Sequence, residues 1–349
     1  MRAHGELVLA RVKFTVIGAG AIGGITGAHL AHAGHDVTLV DTVADHVAAI
    51  RERGITLEGR TELTQQVAAA ITPAQLRAPL GTVLCAVKTL HTAQALVPVA
   101  PLLAADECVV SMQNGLAFND VTAVVGRQRT LAACFNFGGH YEGPGRILHG
   151  TTGGFAVGEL DGRITPRLRE LRDALAAVQE CEATDNILGC IWTKLAMAST
   201  FFATALVDAD VADILGRTRY QPLMLDLIAE TVAVAEASGV RLTDLHGFDP
   251  RTVRFGERST ESSARIIDVM RQYWRNGAQP RTGIWIDLAV RKRKTEAGPQ
   301  LGGLIAAAER AGVPVPRNRA VFELITELET GRRRFAWKNL DEVERRVRS

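Results

Sequence analysis

The stretch from Phe14 to Asp41, FTVIGAGAIGGITGAHLAHAGHDVTLVD, leaves a chain few choices of fold. Phe14 to Ile17 is a short apolar run with the length and composition of a central parallel strand. Gly18, Gly20 and Gly23 then form G-x-G-x-x-G at a strand-to-helix junction, and Gly24 adds another small residue. The first glycine permits a tight turn, the second lets the backbone approach a pyrophosphate, and the third allows close helix-strand packing. Amides that open the helix lack helical acceptors and can hold negative charge. The spacing predicts a helix from about Ile22 to Ala33, ended by Gly34 and His35, and a second strand from Val37 to Val40. Gly18, Ala19, Gly20, Ala21, Ile22 and Gly23 are therefore the candidate dinucleotide loop, the alternative being an ordinary glycine turn in an α/β protein.

Asp41 bears on which dinucleotide is favoured. It follows the second strand, 21 residues beyond Gly20, where a carboxylate accepts hydrogen bonds from the adenosine ribose. The same charge repels a 2′-phosphate, and no arginine or lysine lies between Asp41 and Arg51 to offset it. NAD(H) is expected to be favoured and NADP(H) is possible; alternatively Asp41 is a plain strand-terminal acid and discrimination is made elsewhere.

A length of 349 residues suits two domains. Forty basic against 38 acidic residues give a net charge of +2, so bulk electrostatics imply no polyanion partner. Cys85, Cys108, Cys134, Cys181 and Cys190 have no metal or redox-motif spacing and read as buried thiols of a reducing, cytoplasmic compartment. The first ten residues lack a secretory pattern and read as a short extension. The apolar segment from Asn186 to Val207 is interrupted by Lys194 and reads as a buried helix of a soluble protein rather than a membrane span.

Further along, Thr82 to Val87 has the character of an internal strand, and Lys88 stands where it should end. Ligands of open α/β sheets gather beyond the carboxyl ends of strands, so Lys88 is placed to meet a cofactor or an acidic substrate; otherwise it is a surface lysine. A strand from Cys108 to Met112 ends in Gln113, Asn114 and Gly115. Asn114 can both donate and accept, which suits nicotinamide ribose or substrate, the alternative being a surface Asn-Gly turn. His140 is lone, with no metal-site spacing around it. A helix from Pro166 to about Val178 closes the first domain, with the boundary near Cys181 to Asp185.

In the second domain, Ile187, Ile191, Lys194 and Ala198 recur at helical spacing, and Lys194 is the only charged residue from Asn186 through Val207. A buried ammonium needs a partner, and a catalytic acid that protonates a carbonyl oxygen during hydride attack is one reason to keep it. A structural Lys-carboxylate pair or an exposed groove is the other. The remaining chain predicts further helices, among them about Ser262 to Trp274 and Val321 to Thr330, a break at GVPVP, and a charged tail from Gly331 read as a solvated helix or flexible end. RKRKTE, Arg291 to Glu296, concentrates four bases before an acid.

These residues together resemble the ketopantoate reductase (2-dehydropantoate 2-reductase) family over about residues 12 to 330. The resemblance rests on GAGAIGG at Gly18 to Gly24, Val87-Lys88, Gln113 to Gly115, WTKLA at Trp192 to Ala196, KTE at Lys294 to Glu296 and GVPVPRN at Gly312 to Asn318. It implies an α/β Rossmann-type N-terminal domain followed by an all-helical C-terminal domain, with the active cleft between them. The expected organisation is 11–182 for dinucleotide binding, 185–330 for substrate and dimerisation, and 331–349 as tail. The resemblance further implies that Lys194 protonates the former keto oxygen, Glu296 orients the substrate, Asn114 touches substrate and nicotinamide ribose, and Lys88 helps bind cofactor. Three departures stand out. Asparagines expected four and eight residues after the lysine are Ala198 and Phe202, no serine precedes Glu296 in TGIWIDLAVRKRKTE, and Asp41 replaces a basic residue often used for NADP. The expected activity is interconversion of a 2-keto and a 2-hydroxy acid, less polar or bulkier than ketopantoate, by a homodimer with no nucleic-acid or membrane partner. The alternatives are NADPH-dependent reduction of ketopantoate to pantoate and a non-catalytic nucleotide sensor.

Overall fold

The structure is a computed structural model that describes residues 11–276 and 280–348; the expected N-terminal extension lies outside the described residues. Strand β1 (Lys13–Ile17) leads into helix α1 (Ala21–His32), strand β2 (Asp36–Val40) and helix α2 (Ala44–Arg53). Strands β3 (Ile55–Gly59), β4 (Leu63–Gln65), β5 (Ala69–Ile71) and β6 (Thr82–Cys85) follow. Helix α3 (Thr92–Leu96), strand β7 (Val109–Ser111), helix α4 (Phe118–Val125) and strands β8 (Thr130–Phe135), β9 (Gly138–Gly143), β10 (Arg146–Thr151) and β11 (Phe155–Glu159) come next. Helix α5 (Pro166–Leu175) and β12 (Glu182–Ala183) complete this α/β region.

Eight strands form the main sheet in the order β12-β11-β8-β7-β6-β1-β2-β5. From β5 to β8 every pairing is parallel, and β11 runs antiparallel to β8. Parallel strands are covered on both faces, which is why β6, β7 and β8 read as nearly unbroken apolar runs. Along them the side chains alternate. Val16, Leu84 and Val110 enter one core, while Ile17, Val83, Cys85 and Val109 enter the other. The order reverses at β1, whose neighbours are β2 and β6, and such a reversal opens a crevice at the carboxyl ends of the strands.

A second sheet, β4-β3-β10-β9, covers α1. A Cβ on Gly24 would come within 3.0 Å of Ile55 and Ile147 on that sheet, and one on Gly27 within 2.5 Å of Leu39 on the main sheet. The helix is thus clamped between two sheets, which explains why it is apolar nearly all round.

The C-terminal region is helical: α6 (Ile187–Thr204), α7 (Val211–Gly216), α8 (Gln221–Ala237), α9 (Thr260–Arg275), α10 (Gly283–Ala289), α11 (Gly303–Ala311), α12 (Pro316–Glu329) and α13 (Lys338–Arg348). Helix α6 has the length and mean hydropathy, 1.3, of a membrane span, but 72% of it is buried within the protein, so its apolar surface is used in packing. Gly312 ends α11 in the left-handed region at φ +67, and Pro316 starts α12 where its missing N–H is no loss. The buried Glu230 carboxylate of α8 accepts from the Arg317 and Asn318 amides, capping α12. The Asn318 side chain also donates to this carboxylate, at 2.9 Å, which gives an asparagine its use after the break.

The tail differs from a solvated or flexible end. Helix α13 buries Asn339, Leu340 and Val343. Asn339 donates to the Leu206 carbonyl at 2.9 Å, tying the tail to the chain just after α6. On the same stripe of this helix, Arg346 pairs with Glu323 and Glu327 of α12.

Two compact units result. One holds the described residues up to Gln113 together with Phe118–Ile187; the other holds Asn114–Ala117 and the chain from Leu188.

Candidate active site

Within the N-terminal unit the glycine loop joins β1 to α1. Gly18 has φ +95, and a Cβ there would lie 2.9 Å from Val87, so a side chain is excluded by both conformation and space. A Cβ on Gly23 would strike the carbonyl of Gly18. Gly20 is different: a Cβ there meets nothing within 4 Å, so the loop is open on the side where a phosphate would approach. Gly20 is also the cap of α1, whose first amides, those of Ala21, Ile22 and Gly23, have no acceptor inside the helix. A loop whose packing forbids side chains at Gly18 and Gly23, and whose exposed turn has none at Gly20, fits a dinucleotide pyrophosphate.

Asp41 stands at the carboxyl end of β2 and is part of the loop's own structure. Its Oδ2 accepts from the Ala19 amide at 2.9 Å and its Oδ1 from the Val43 amide at 3.0 Å. The charge is therefore held beside the glycine turn by two backbone donors.

Two further side chains brace these loops. His46 is buried on α2; Gly145 donates its N–H to His46 Nδ1 at 2.9 Å, so the ring hydrogen lies on Nε2, which donates to the Ala19 carbonyl at 2.9 Å. Gln113 is also buried, and its Nε2 donates to the Val87 carbonyl and to Thr92 Oγ1, both at 2.8 Å. It braces the turn after β6 that carries Lys88, whose side chain is exposed. Nothing in the local sequence marks His46. The position of Gln113 at a strand end was a usable signal.

In the C-terminal unit, the WTKLA segment lies on α6. Trp192, Thr193, Leu195 and Ala196 are buried, and Lys194 alone of the five is partly exposed. Thr193 locks this turn by donating to the Thr243 carbonyl at 2.9 Å. Lys194 Nζ donates to Asn114 Oδ1 at 2.8 Å, across 80 residues of sequence. The Asn114 amide oxygen accepts this bond and so orients the ammonium.

Glu296 immediately precedes the helical run that opens with a π-helical turn, Gly298–Gly302. Gln300, one turn on, packs against Gly115; a Cβ on Gly115 would come within 2.9 Å of its Cγ. Gly115 has φ +67, so the Asn-Gly turn uses glycine for both conformation and close approach. The helix start bearing Glu296 is thus seated on the turn bearing Asn114, and Asn114 is bonded to Lys194.

Phe202 is one of the two apolar residues that stand where the family resemblance leads one to expect asparagine. It is fully buried in the helical core, and Phe201 is the aromatic residue on the partly exposed face of α6. The eighth residue after Lys194 is rotated about 80° from it, whereas the seventh is rotated only about 20°.

The chain matches the family model for ketopantoate reductase PanE/ApbA over residues 14–162 and that for the ketopantoate reductase PanE/ApbA C terminal over residues 186–329. A 2-dehydropantoate 2-reductase of Mesorhizobium japonicum is 30% identical over 285 residues, covering 74% of this chain and 86% of that protein. A crystallised PanE/ApbA family ketopantoate reductase from Ralstonia eutropha JMP134 superposes with a TM-score of 0.75 at 26% identity, covering 91% of this chain and 99% of that one. A D-mandelate dehydrogenase solved with NADH and anilino(oxo)acetate shares the fold, with a TM-score of 0.76 at 19% identity over 91% of this chain and 99% of that one. Its glycine loop, its helical second region and these matches along both make the chain a member of the ketopantoate reductase PanE/ApbA family of oxidoreductases.

Proposed function

We propose that this protein interconverts a 2-keto acid and a 2-hydroxy acid, with NAD(H) as the favoured cofactor and Lys194 as the acid-base group. The observation that carries the reading is the Lys194–Asn114 hydrogen bond of 2.8 Å at the partly exposed position of an otherwise buried segment. A long flexible ammonium fixed in this way is prepared for proton transfer, because its direction is set before substrate arrives.

When bound, the dinucleotide supplies a hydride to substrate C2 or removes one from it. Lys194 donates a proton to the carbonyl oxygen as negative charge grows there, and in the reverse direction takes the hydroxyl proton. Asn114 keeps the ammonium aimed. Glu296 orients the substrate from the helix start, and Lys88 contributes positive charge to cofactor binding. Asp41, beside the Ala19 amide, favours a free ribose hydroxyl over a 2′-phosphate.

Reduction of ketopantoate with NADPH is the second reading, favoured by the name of the 30% identical Mesorhizobium relative. Against it stands the half-exposed methyl of Ala198, four residues past Lys194, where a hydrogen-bonding side chain was expected.

Oxidation of NADH and of NADPH should be followed across a panel of 2-keto acids that includes ketopantoate and branched or aromatic members. The first reading expects turnover of less polar 2-keto acids with NADH. Turnover confined to ketopantoate with NADPH would select the second, and background rates throughout with intact NADH binding would reject both in favour of a nucleotide sensor.

A further inference from the structure

The partly exposed face of α6 continues past Lys194. Met197, Ala198 and Phe201 are half-buried at three, four and seven residues beyond it, while Leu195, Ala196, Ser199, Thr200 and Phe202 are buried. Lys194 thus heads a stripe in which every other partly exposed side chain to Phe201 is apolar.

Phe201 does not stand alone. Its ring meets Trp274 edge-on, with centroids 5.1 Å apart and planes at 88°, and lies nearly parallel to Tyr273 at 6.3 Å and 12°. Tyr273 and Trp274 are themselves edge-to-face at 5.8 Å. Both belong to α9, which is held to α6 by the bond from Thr200 Oγ1 to Met270 Sδ at 3.5 Å. The three rings are therefore a supported wall, and Tyr273 is still 47% exposed.

Side chains on a helix lean toward its N-terminus, so Phe201 covers the turn that contains Met197 and Ala198, on the side of Lys194. Ala198, with only a methyl group, leaves the space between ammonium and ring unfilled by its own side chain. Along the axis, seven residues span about 10 Å, and because the Lys194 side chain leans the same way a ligand must bridge roughly that distance. An aryl group one or two bonds from a carbonyl carbon has that reach, and rings meeting edge to face are a favourable contact for it.

We infer that Phe201, backed by Tyr273 and Trp274, is the specificity wall of this site and receives the aryl side chain of a 2-keto acid whose carbonyl oxygen lies at Lys194. The inference rests on the acid-base role proposed for Lys194. Met197 and the Ala198 methyl complete an apolar floor, which disfavours substrates with hydroxyls at these positions because no partner replaces their water.

The test is kcat/KM with NADH for phenylpyruvate and benzoylformate against pyruvate and ketopantoate, in the wild type, Phe201→Ala, Phe201→Leu and Phe201→Tyr. The wild type should prefer the aryl acids. The aryl-to-alkyl ratio should fall about 10- to 200-fold in Phe201→Ala, fall also in Phe201→Leu, which keeps an apolar side chain but lacks the ring, and be largely kept in Phe201→Tyr. Should Phe201→Ala not fold, the Leu and Tyr pair decides the matter. Equal losses on both substrate classes, or a wild type that reduces pyruvate or ketopantoate better than aryl acids, would overturn the wall and leave the reaction class standing. No turnover of any 2-keto acid would overturn the reaction class, and the wall with it.

Discussion

Replacing Asp41 with asparagine removes one charge while keeping nearly the same shape. Asparagine Oδ1 can still accept one of the two amides, those of Ala19 and Val43, that the carboxylate holds at 2.9 and 3.0 Å. The other amide loses its acceptor, and the ribose loses a charged one; a hydrogen bond to a charged group is worth about 1.5–3 kcal/mol, so NADH should bind roughly 10- to 100-fold more weakly. For NADPH the loss is opposed by relief of repulsion. Two unit charges about 5 Å apart at an effective dielectric of about 20 interact by roughly 3 kcal/mol, near a factor of 200. The NADPH-to-NADH affinity ratio should therefore rise by about two orders of magnitude in Asp41→Asn. Dissociation constants from nicotinamide fluorescence at about 0.1 M salt measure it, and about 1 M salt should shrink the effect because exposed charges are screened. A wild type that prefers NADPH, or an unchanged ratio in the variant, would refute the reasoning.

Other perturbations separate structural from binding roles. Gly23→Ala puts a Cβ on the Gly18 carbonyl, so the thermal midpoint should fall along with NADH affinity. Gly20→Ala meets open space and should change stability by no more than about 1 kcal/mol while sharply weakening NADH binding. Burial is the first cause holding the His29, His35 and His149 imidazoles below the ordinary histidine range, with neighbouring His149 and His32 adding to it at His29. The unfolded chain therefore takes up protons first: stability is complete above about pH 6.5 and is lost as pH falls toward the folded values. Urea midpoints at several pH values should show this fall, and a His29→Gln, His149→Gln double variant should show a smaller one; equal slopes would contradict it. Asn339→Ala removes the tail's bonds to the Leu206 and Arg334 carbonyls and should cost about 1–3 kcal/mol in chemical unfolding.

The parts legible from sequence are those whose cause is local. The strand, glycine turn, helix and second strand from Lys13 to Val40 are set by neighbours in sequence, and the observed elements agree to within a residue or so. Lys194 stands out in the sequence because a charge in an apolar helix needs a reason, and the structure gives it a bond to Asn114. The second sheet was not legible, since β3 and β10 pair in parallel across about ninety residues, Leu57 opposite Ile147, and each strand is too short to reveal its partner. His46 gives no local signal because its two partners lie 27 and 99 residues away. Nor does the sequence tell which of the adjacent Phe201 and Phe202 faces outward on α6; only burial shows that Phe201 holds the partly exposed position.

Single-turnover reduction by Lys194→Ala, with NADH saturating and an aryl or branched 2-keto acid as substrate, tests the central claim most directly. Loss of a positioned general acid should slow hydride transfer by about 10²- to 10⁴-fold, with the NADH dissociation constant unchanged within about threefold. A variant that turns over at near wild-type rate, or one whose defect lies in NADH binding alone, would contradict the assignment of Lys194 as the group that moves the proton.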